Sequence, residues 1–524
     1  MQTLILSKYG GESELRAALQ KVSQHYFGED FLLLSPVRAD EERIESVQVG
    51  LEEEAEIKEV IKGRSLKRLV LLGFARQETI SLTLLVDMIS CGIEAIDGLY
   101  EDEISRYAPF KEEQASTLLI FPGAMLPLNM GSHQRSFLLL AALNYSGYPT
   151  DVIITGGDPR SVSRSRRLLL AIAPNVYVYK NNKRKLPDYL WLRREAERIY
   201  RKRRLDRNDV PELFADRYAN KATESLKKTM VTLQQEKQYK NIIVSYAWMS
   251  RSLDYLPKES LVDVKLICDT HDVQYMRNAS SNKEDKRFLA FAGADKWLEK
   301  RVLSRYHYIL AISKSDAEEL KKTKPLARKV LLVTNAFDYA LKKPRKISHK
   351  TVLNFGFIGG GMEANVKALE YILRHWWPLM SAYSPESKLY IAGSICKKES
   401  ITEATFFDES VVKLGFVDNL SSFYDRIDIA LNPVLVQGGL NFKSVEAVLA
   451  GKLLITNNLG ARCLGEGEIA SIADSPEEFL NVLKELELMD VSEAESLLKN
   501  RQAKAMEEFG ERMAYHSLKQ VLSL

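Results

Sequence analysis

Apolar and polar positions follow two rhythms along this chain. Short, continuously apolar runs such as TLILS (3–7), FLLLSP (31–36) and RLVLLGF (68–74) read as strands buried on both faces. Acidic helical stretches such as LEEEAEIKEVIKG (51–63) lie between them. Residues 1–114 therefore read as a small α/β extension, and their pattern assigns it no role.

The plan then becomes more regular and occurs twice. Residues 116–155 (STLLIFPGAMLPLNMGSHQRSFLLLAALNYSGYPTDVIIT) give a strand, a glycine-bearing loop, an amphipathic helix, a turn and another strand. Residues 351–394 (TVLNFGFIGGGMEANVKALEYILRHWWPLMSAYSPESKLYIAGS) repeat that plan with different residues. Further buried-type strands follow each opening: NIIVSYA, DVKLICDTHD, YHYILAIS and KVLLVTN in the first region, IDIALNPV and KLLITNN in the second. Strands alternating with helices imply parallel sheets. Two such regions predict two Rossmann-like, doubly wound domains facing a cleft, with ligands beyond the carboxyl ends of the strands. The expected domains are 1–114, 115–340 and 341–500, followed by a C-terminal helix over 501–524 that crosses back to the N-terminal domain of the pair, 115–340. The basic, proline-bearing ALKKPRKISHK (340–350) reads as the linker.

Composition narrows this picture only modestly. A chain of 524 residues exceeds one core, and 45% apolar with 27% charged residues is ordinary for a soluble protein. Cys91, Cys268, Cys396 and Cys463 are far apart and form no CxxC pair, so a reducing, cytoplasmic setting is expected. The N-terminus lacks the features of a signal peptide, and no uncharged apolar run is long enough to span a membrane. The net charge of +4 is unevenly spread. Between Arg160 and Arg204 fifteen Lys or Arg face three acids. This 160–204 segment reads either as a solvated basic face or as a peripheral contact with anionic lipid or a phosphate-bearing acceptor. Its aromatics are not spaced for base stacking, so no nucleic acid is expected.

Two glycine-bearing segments carry the candidate chemistry. GFIGGGMEANVKA (356–368) contains Gly359, Gly360 and Gly361 and matches a loose dinucleotide fingerprint through Gly359, Gly361 and Ala364. The next strand, KLYIAGS, has no acid at its tip to hold a nicotinamide ribose, which argues against a dehydrogenase. What remains is a loop whose backbone can approach a phosphate closely. In LNPVLVQGGLNFKSVEAVLAGK (431–452), Gly438 and Gly439 precede a helix with Phe442, Val445, Val448 and Leu449 at helical spacing and Gly451 as its stop. Lys443 and Glu446 are neighbours near its amino end. They read either as a surface ion pair or as a cation for a diphosphate and a carboxylate for sugar hydroxyls.

This second segment resembles the donor-site motif of GT-B glycosyltransferases of the retaining, group 1 (family four) type. VEAVLAGK matches at Glu446, Ala447 and Gly451, whereas the motif's first glutamate falls on Gly438; the form GGLNFKSVEA is similar to a glycine-rich subset of the family. The resemblance extends over about 116–480. It includes Asn365, Ala368 and Pro378, the segment VKLGFVDNLSSFYDRIDIALNPV, and an acceptor-side loop around Asn129 and Gly131. It implies that backbone near Phe416 and Val417 meets the nucleobase. It also implies that Gly359, Gly360, Gly361, Gly438, Gly439, Leu440 and Asn441 line the donor site. His271, in LICDTHDVQYMRN, resembles the histidine that follows a strand of the family's first domain; its alternative role is that of a loop histidine capping the next helix, for which Asp272 is itself a good N-cap, and Asp269 reads as structural. His271, Lys443 and Glu446 form the expected catalytic set.

The expectation is thus a cytoplasmic, metal-independent hexosyltransferase. It would use a nucleoside-diphosphate sugar as donor and no other cofactor, and would act on a glycan, lipid-linked or protein acceptor, with retention. The alternative is a catalytically inactive GT-B-like binding or assembly module. A homo-oligomer or a partner glycosyltransferase is left open, as are donor, acceptor and linkage.

Overall fold

The protein was described from a computed structural model. It describes residues 2–26, 29–37, 44–49, 54–61, 64, 66–101, 103–110, 115–128, 130–155, 158–179, 223–281, 286–335, 352–405, 408–417, 420–436, 439–462, 464 and 469–523. The described strands form three sheets of six, seven and six strands. The chain divides into two compact units, of which the first comprises 1–186, 220–245 and 251–265 and the second 187–219, 246–250 and 266–524.

The first unit begins with β1 (Gln2–Ser7), β2 (Phe31–Ser35), β3 (Ile44–Gln48), β4 (Leu66–Leu72), β5 (Ala95–Tyr100) and β6 (Glu103–Arg106). Their order is β3-β2-β1-β4-β5-β6, parallel except for β6. The apolar run of β2 is buried at every position, as expected for a strand covered on both faces. The helix Glu12–His25 buries Leu15, Ala18, Leu19 and Val22, one stripe at helical spacing. The unit also holds β7 (Thr117–Ile120), β8 (Thr150–Ile154), β9 (Val176–Val178) and β10 (Asn241–Ser245), parallel in the order β10-β7-β8-β9. The Tyr145 hydroxyl donates to the Ile80 carbonyl (2.8 Å), and the Ile80 N–H donates to the Tyr107 hydroxyl (2.9 Å). The first of these bonds ties the N-terminal extension to the helix Gly131–Tyr145, and the second holds Ile80 within the extension.

The second unit contains β11 (Lys265–Asp269), β12 (Tyr308–Ala311) and β13 (Val330–Leu332), parallel in the order β13-β12-β11. It also contains β14 (Phe355–Ile358), β15 (Leu389–Ala392), β16 (Val411–Gly415), β17 (Ile429–Leu431), β18 (Leu453–Thr456) and β19 (Ser471–Ile472). These run parallel in the order β16-β15-β14-β17-β18-β19. Chain order reverses between β14 and β17, so the loops leaving those two strands diverge and open a crevice at their carboxyl ends. Apolar residues from β14, β15 and the helices over 363–383 fill one face of this sheet, where Trp376 stacks on Phe479 at 4.8 Å. The helix Val491–Phe509 covers another part of the unit. Gln502 Nε2 donates to the Leu449 carbonyl (2.8 Å), and Lys314 pairs with Glu508 (2.5 Å). The terminal helix His516–Ser523 lies against β13.

Candidate functional site

The helix Phe442–Leu449 begins just after β17 and is buried through Ser444, Val445, Glu446, Ala447, Val448 and Leu449. Gly451 has a φ of +73°, the left-handed geometry that ends a helix at little cost for glycine. Lys443 projects inward from the first turn. Its ammonium donates to Asn365 Oδ1 (2.9 Å) and lies 4.2 Å from the centre of the Phe357 ring. No carboxylate pairs with it among the described residues, and burial pushes its pKa down to about 7. The surface ion pair with Glu446 does not form. Glu446 is itself 6% exposed and belongs to the buried side of the helix.

Asn365 joins this lysine to the glycine loop after β14. Its Nδ2 donates to the Gly360 carbonyl (3.0 Å), so one amide bridges Gly360 and Lys443. A Cβ at Gly359 would stand 3.2 Å from both the Asn365 side chain and the Phe357 ring, and one at Gly361 would meet Lys398 Cε at 2.7 Å. Three loops are laced together here. The Gly359 N–H donates to Ala392 O (3.0 Å), the Ile395 N–H to Gly359 O (3.2 Å), and the Gly393 N–H to Gly415 O (2.7 Å). The Gly361 N–H donates to Ser394 Oγ (3.1 Å). Close approach of backbone to backbone is thus one reason for the glycines, and the loop is fixed before any ligand arrives. Asn365→Ala is expected to strand the ammonium and cost about 1.5–3 kcal/mol, the range for a hydrogen bond to a charged group; urea unfolding checks this.

Phe416 follows Gly415 directly and is 64% exposed, whereas Val417 packs partly into the core. Gly439, at φ +65°, precedes Leu440 and Asn441, and Asn441 caps the helix without a side-chain bond. A Cβ on Gly439 would lie 3.0 Å from the His271 carbonyl oxygen and 3.5 Å from Asp272 Cβ. This contact, within the second unit, brings the loop after β11 against the start of the lysine-bearing helix.

His271 is 7% exposed and adopts φ +58°, a conformation non-glycine residues seldom hold. Its Nε2 lies 3.3 Å from Oδ2 of the fully buried Asp269. Its ring stacks on Tyr246, with centroids 4.1 Å apart and planes 12° apart. Tyr246 also stacks on Trp248 at 4.9 Å. Asp272 pairs with Arg277 (2.8 Å). The amides that open the next helix, Gln274 and Tyr275, donate instead to the Glu299 carboxylate (3.0 and 2.8 Å). Burial pushes that carboxyl up to about 8.

The structure therefore gathers His271, Gly439, Leu440, Asn441, Lys443 and Glu446 in one unit with Gly359, Gly360, Gly361, Phe416 and Val417. Gly131 opens a helix of the first unit. Asn129 and Gly438 lie outside the described residues, as do the linker at 340–350 and the basic segment beyond 179. Sequence reasoning did not single out Tyr246, Trp248 or Lys398. Among the described residues no cluster of His, Cys, Asp and Glu is arranged to hold a metal, and no helix is long and apolar enough to cross a membrane.

Comparison with known proteins is consistent with this geometry. Residues 353–487 match the family model described as glycosyl transferases group 1. A comparison with curated protein sequences found no match. Among solved structures, the chain is similar to HepE of Anabaena in complex with UDP and glucose (TM-score 0.52, 13% identity, 78% of this chain and 99% of that one). It is similar to sucrose-phosphate synthase from Thermosynechococcus elongatus (TM-score 0.52, 13% identity, 78% and 98%). It is also similar to a variant of TarM from S. aureus in complex with fondaparinux, α-GlcNAc-glycerol and UDP (TM-score 0.54, 9% identity, 78% and 100%). The chain has the GT-B fold, and its residues 353–487 match the model of the group 1 glycosyl transferases.

Proposed function

We propose that this protein transfers a hexose from a nucleoside-diphosphate sugar to a glycan, lipid-linked or protein acceptor with retention, the diphosphate seated at the amino end of Phe442–Leu449. One observation carries the reading: Lys443 is a half-buried cation whose polar contact is a neutral amide and whose other neighbour is an aromatic face. A partly desolvated charge without a counter-ion is costly, and an arriving anion offsets that cost. The helix amino end adds its partial positive charge at the same place. Glu446, three residues on, offers carboxylate oxygens to hydroxyls of the donor. The UDP bound in the HepE and TarM structures supports the nucleotide class.

In this reading the leaving diphosphate accepts the acceptor's proton. Catalysis then consists of stabilising negative charge on the diphosphate through Lys443 and the helix end, with no metal required. His271 stands beside Gly439, where the sugar would sit next to the diphosphate. The test is release of nucleoside diphosphate from a panel of UDP-, GDP- and ADP-sugars. Release by the wild-type protein supports the transferase. Neither release nor nucleotide affinity would leave the inactive binding module.

Proton linkage gives a second check. Folded Lys443 titrates at about 7 and the unfolded residue at its ordinary 10.5. Between these values the unfolded chain binds more protons, so this residue's contribution makes stability rise with pH across that window. Its destabilising effect is complete below about 7 and gone above 10.5. A bound diphosphate restores the proton. UDP titrated calorimetrically at pH 8 in buffers of different ionisation heat is expected to show proton uptake, shrinking towards zero at pH 6.

A further inference from the structure

We infer that Tyr246 is a positioning residue: its ring fixes the plane of the His271 imidazole beside the donor site. The inference rests on the transferase reading above for its kinetic consequences, but not for its geometry. Two constraints meet on the imidazole. Tyr246 lies flat against its face at 4.1 Å and 12°, and Asp269 Oδ2 stands 3.3 Å from Nε2 at its edge. The Tyr246 N–H in turn donates to the Asp269 carbonyl (2.7 Å), so the residue that covers the face is tied to the residue that meets the edge. Trp248 stacks on Tyr246 at 4.9 Å and 22°, and extends the platform.

The backbone makes the case stronger. Tyr246 has φ +68° and His271 φ +58°; both are left-handed, and neither is glycine. Asn, Asp and Gly take this conformation readily, whereas an aromatic residue is strained in it. Packing alone does not require a tyrosine at a strained position that is only partly buried. Two such residues facing each other at the ends of β10 and β11, with the His271 carbonyl against Gly439, form an arrangement kept for the ring it presents. Fixing one plane of the imidazole leaves it a single hydrogen-bonding direction towards the sugar, and that is how a positioning residue raises kcat.

The experiment compares the full-length wild type with Tyr246→Phe, Tyr246→Gly and Tyr246→Asn. Diethyl pyrocarbonate is the probe, and modification at His271 is read peptide by peptide. The expected result is carbethoxylation of His271 at least tenfold faster in the Gly and Asn variants and within twofold of wild type in Tyr246→Phe. With a turned-over donor, kcat is expected to fall at least tenfold in Gly and Asn with donor KM within threefold, and to stay near wild type in Phe. Because Gly and Asn relieve the left-handed strain, their melting temperatures are expected to hold or rise. Unchanged His271 reactivity in Gly and Asn would overturn the inference, as would an equal loss of kcat in Tyr246→Phe. Lower melting temperatures with unchanged reactivity would mark a packing residue and also overturn it. If no donor is turned over, the transferase reading fails, and the modification rates still decide the role of Tyr246.

Discussion

Lys443→Met is expected to lower kcat/KM for sugar transfer by about 10²–10³-fold, the scale seen when one donor to a developing oxyanion is removed. Fold stability is expected to hold or to rise by roughly 1 kcal/mol, since a partly desolvated charge is exchanged for an apolar side chain of similar length. The direction follows from the surroundings. The ammonium lies against Phe357 and a neutral amide, and its pKa is pushed down to about 7, so the protein holds this charge at a cost. Methionine keeps the stem on the ring and leaves Asn365 bonded to Gly360. Activity and stability therefore move in opposite directions. A residue that merely packs would lose both. Steady-state kinetics together with urea unfolding of the same preparation reads the two quantities.

The second large effect is at Gly393. A Cβ there would stand 2.2 Å from the Gly359 carbonyl oxygen, and the residue has φ +98°. The obstacle is backbone, which cannot rotate away. Gly393→Ala is expected to cost about 2–4 kcal/mol, combining left-handed strain with the collision. The carbonyl that must move belongs to the loop Gly359–Gly361, so nucleotide affinity is expected to fall with stability. Gly415→Ala is the matched control. It has φ +72° but nothing within 4 Å of its Cβ, so it should carry only the left-handed strain of about 1–2 kcal/mol. Thermal unfolding and UDP titration of the two variants separate collision from strain.

The parallel sheets were legible because their strands are continuously apolar. β1, β4, β7, β10, β14 and β18 all coincide with runs that read as buried. β3 was not, since IESVQ has the polar, half-exposed pattern of an edge strand. The extension's strand order was equally hidden, because apolar runs record burial and not which neighbour covers them. In the site, Lys443 and Glu446 were visible from their spacing beside two glycines, yet spacing could not say that the two would face different surroundings. Asn365 was visible only as a letter in a family pattern. Its bridge between Gly360 and Lys443 depends on β14 and β17 being neighbours, a pairing of residues 78 apart in sequence. Tyr246 gave no signal at all. SYAWMS reads as a strand end, and nothing in a tyrosine's neighbours announces a positive φ. Glycines declare such positions; a strained tyrosine does not.

The central claim is that a nucleoside diphosphate docks at the amino end of Phe442–Leu449. The most direct measurement is a crystal structure with UDP, or with whichever of UDP, GDP and ADP binds tightest. The account predicts a β-phosphate oxygen at roughly 2.7–3.0 Å from Lys443 Nζ, the distance of a charge-assisted hydrogen bond. A nucleotide bound elsewhere, with Lys443 still engaged only by Asn365 and Phe357, would contradict it.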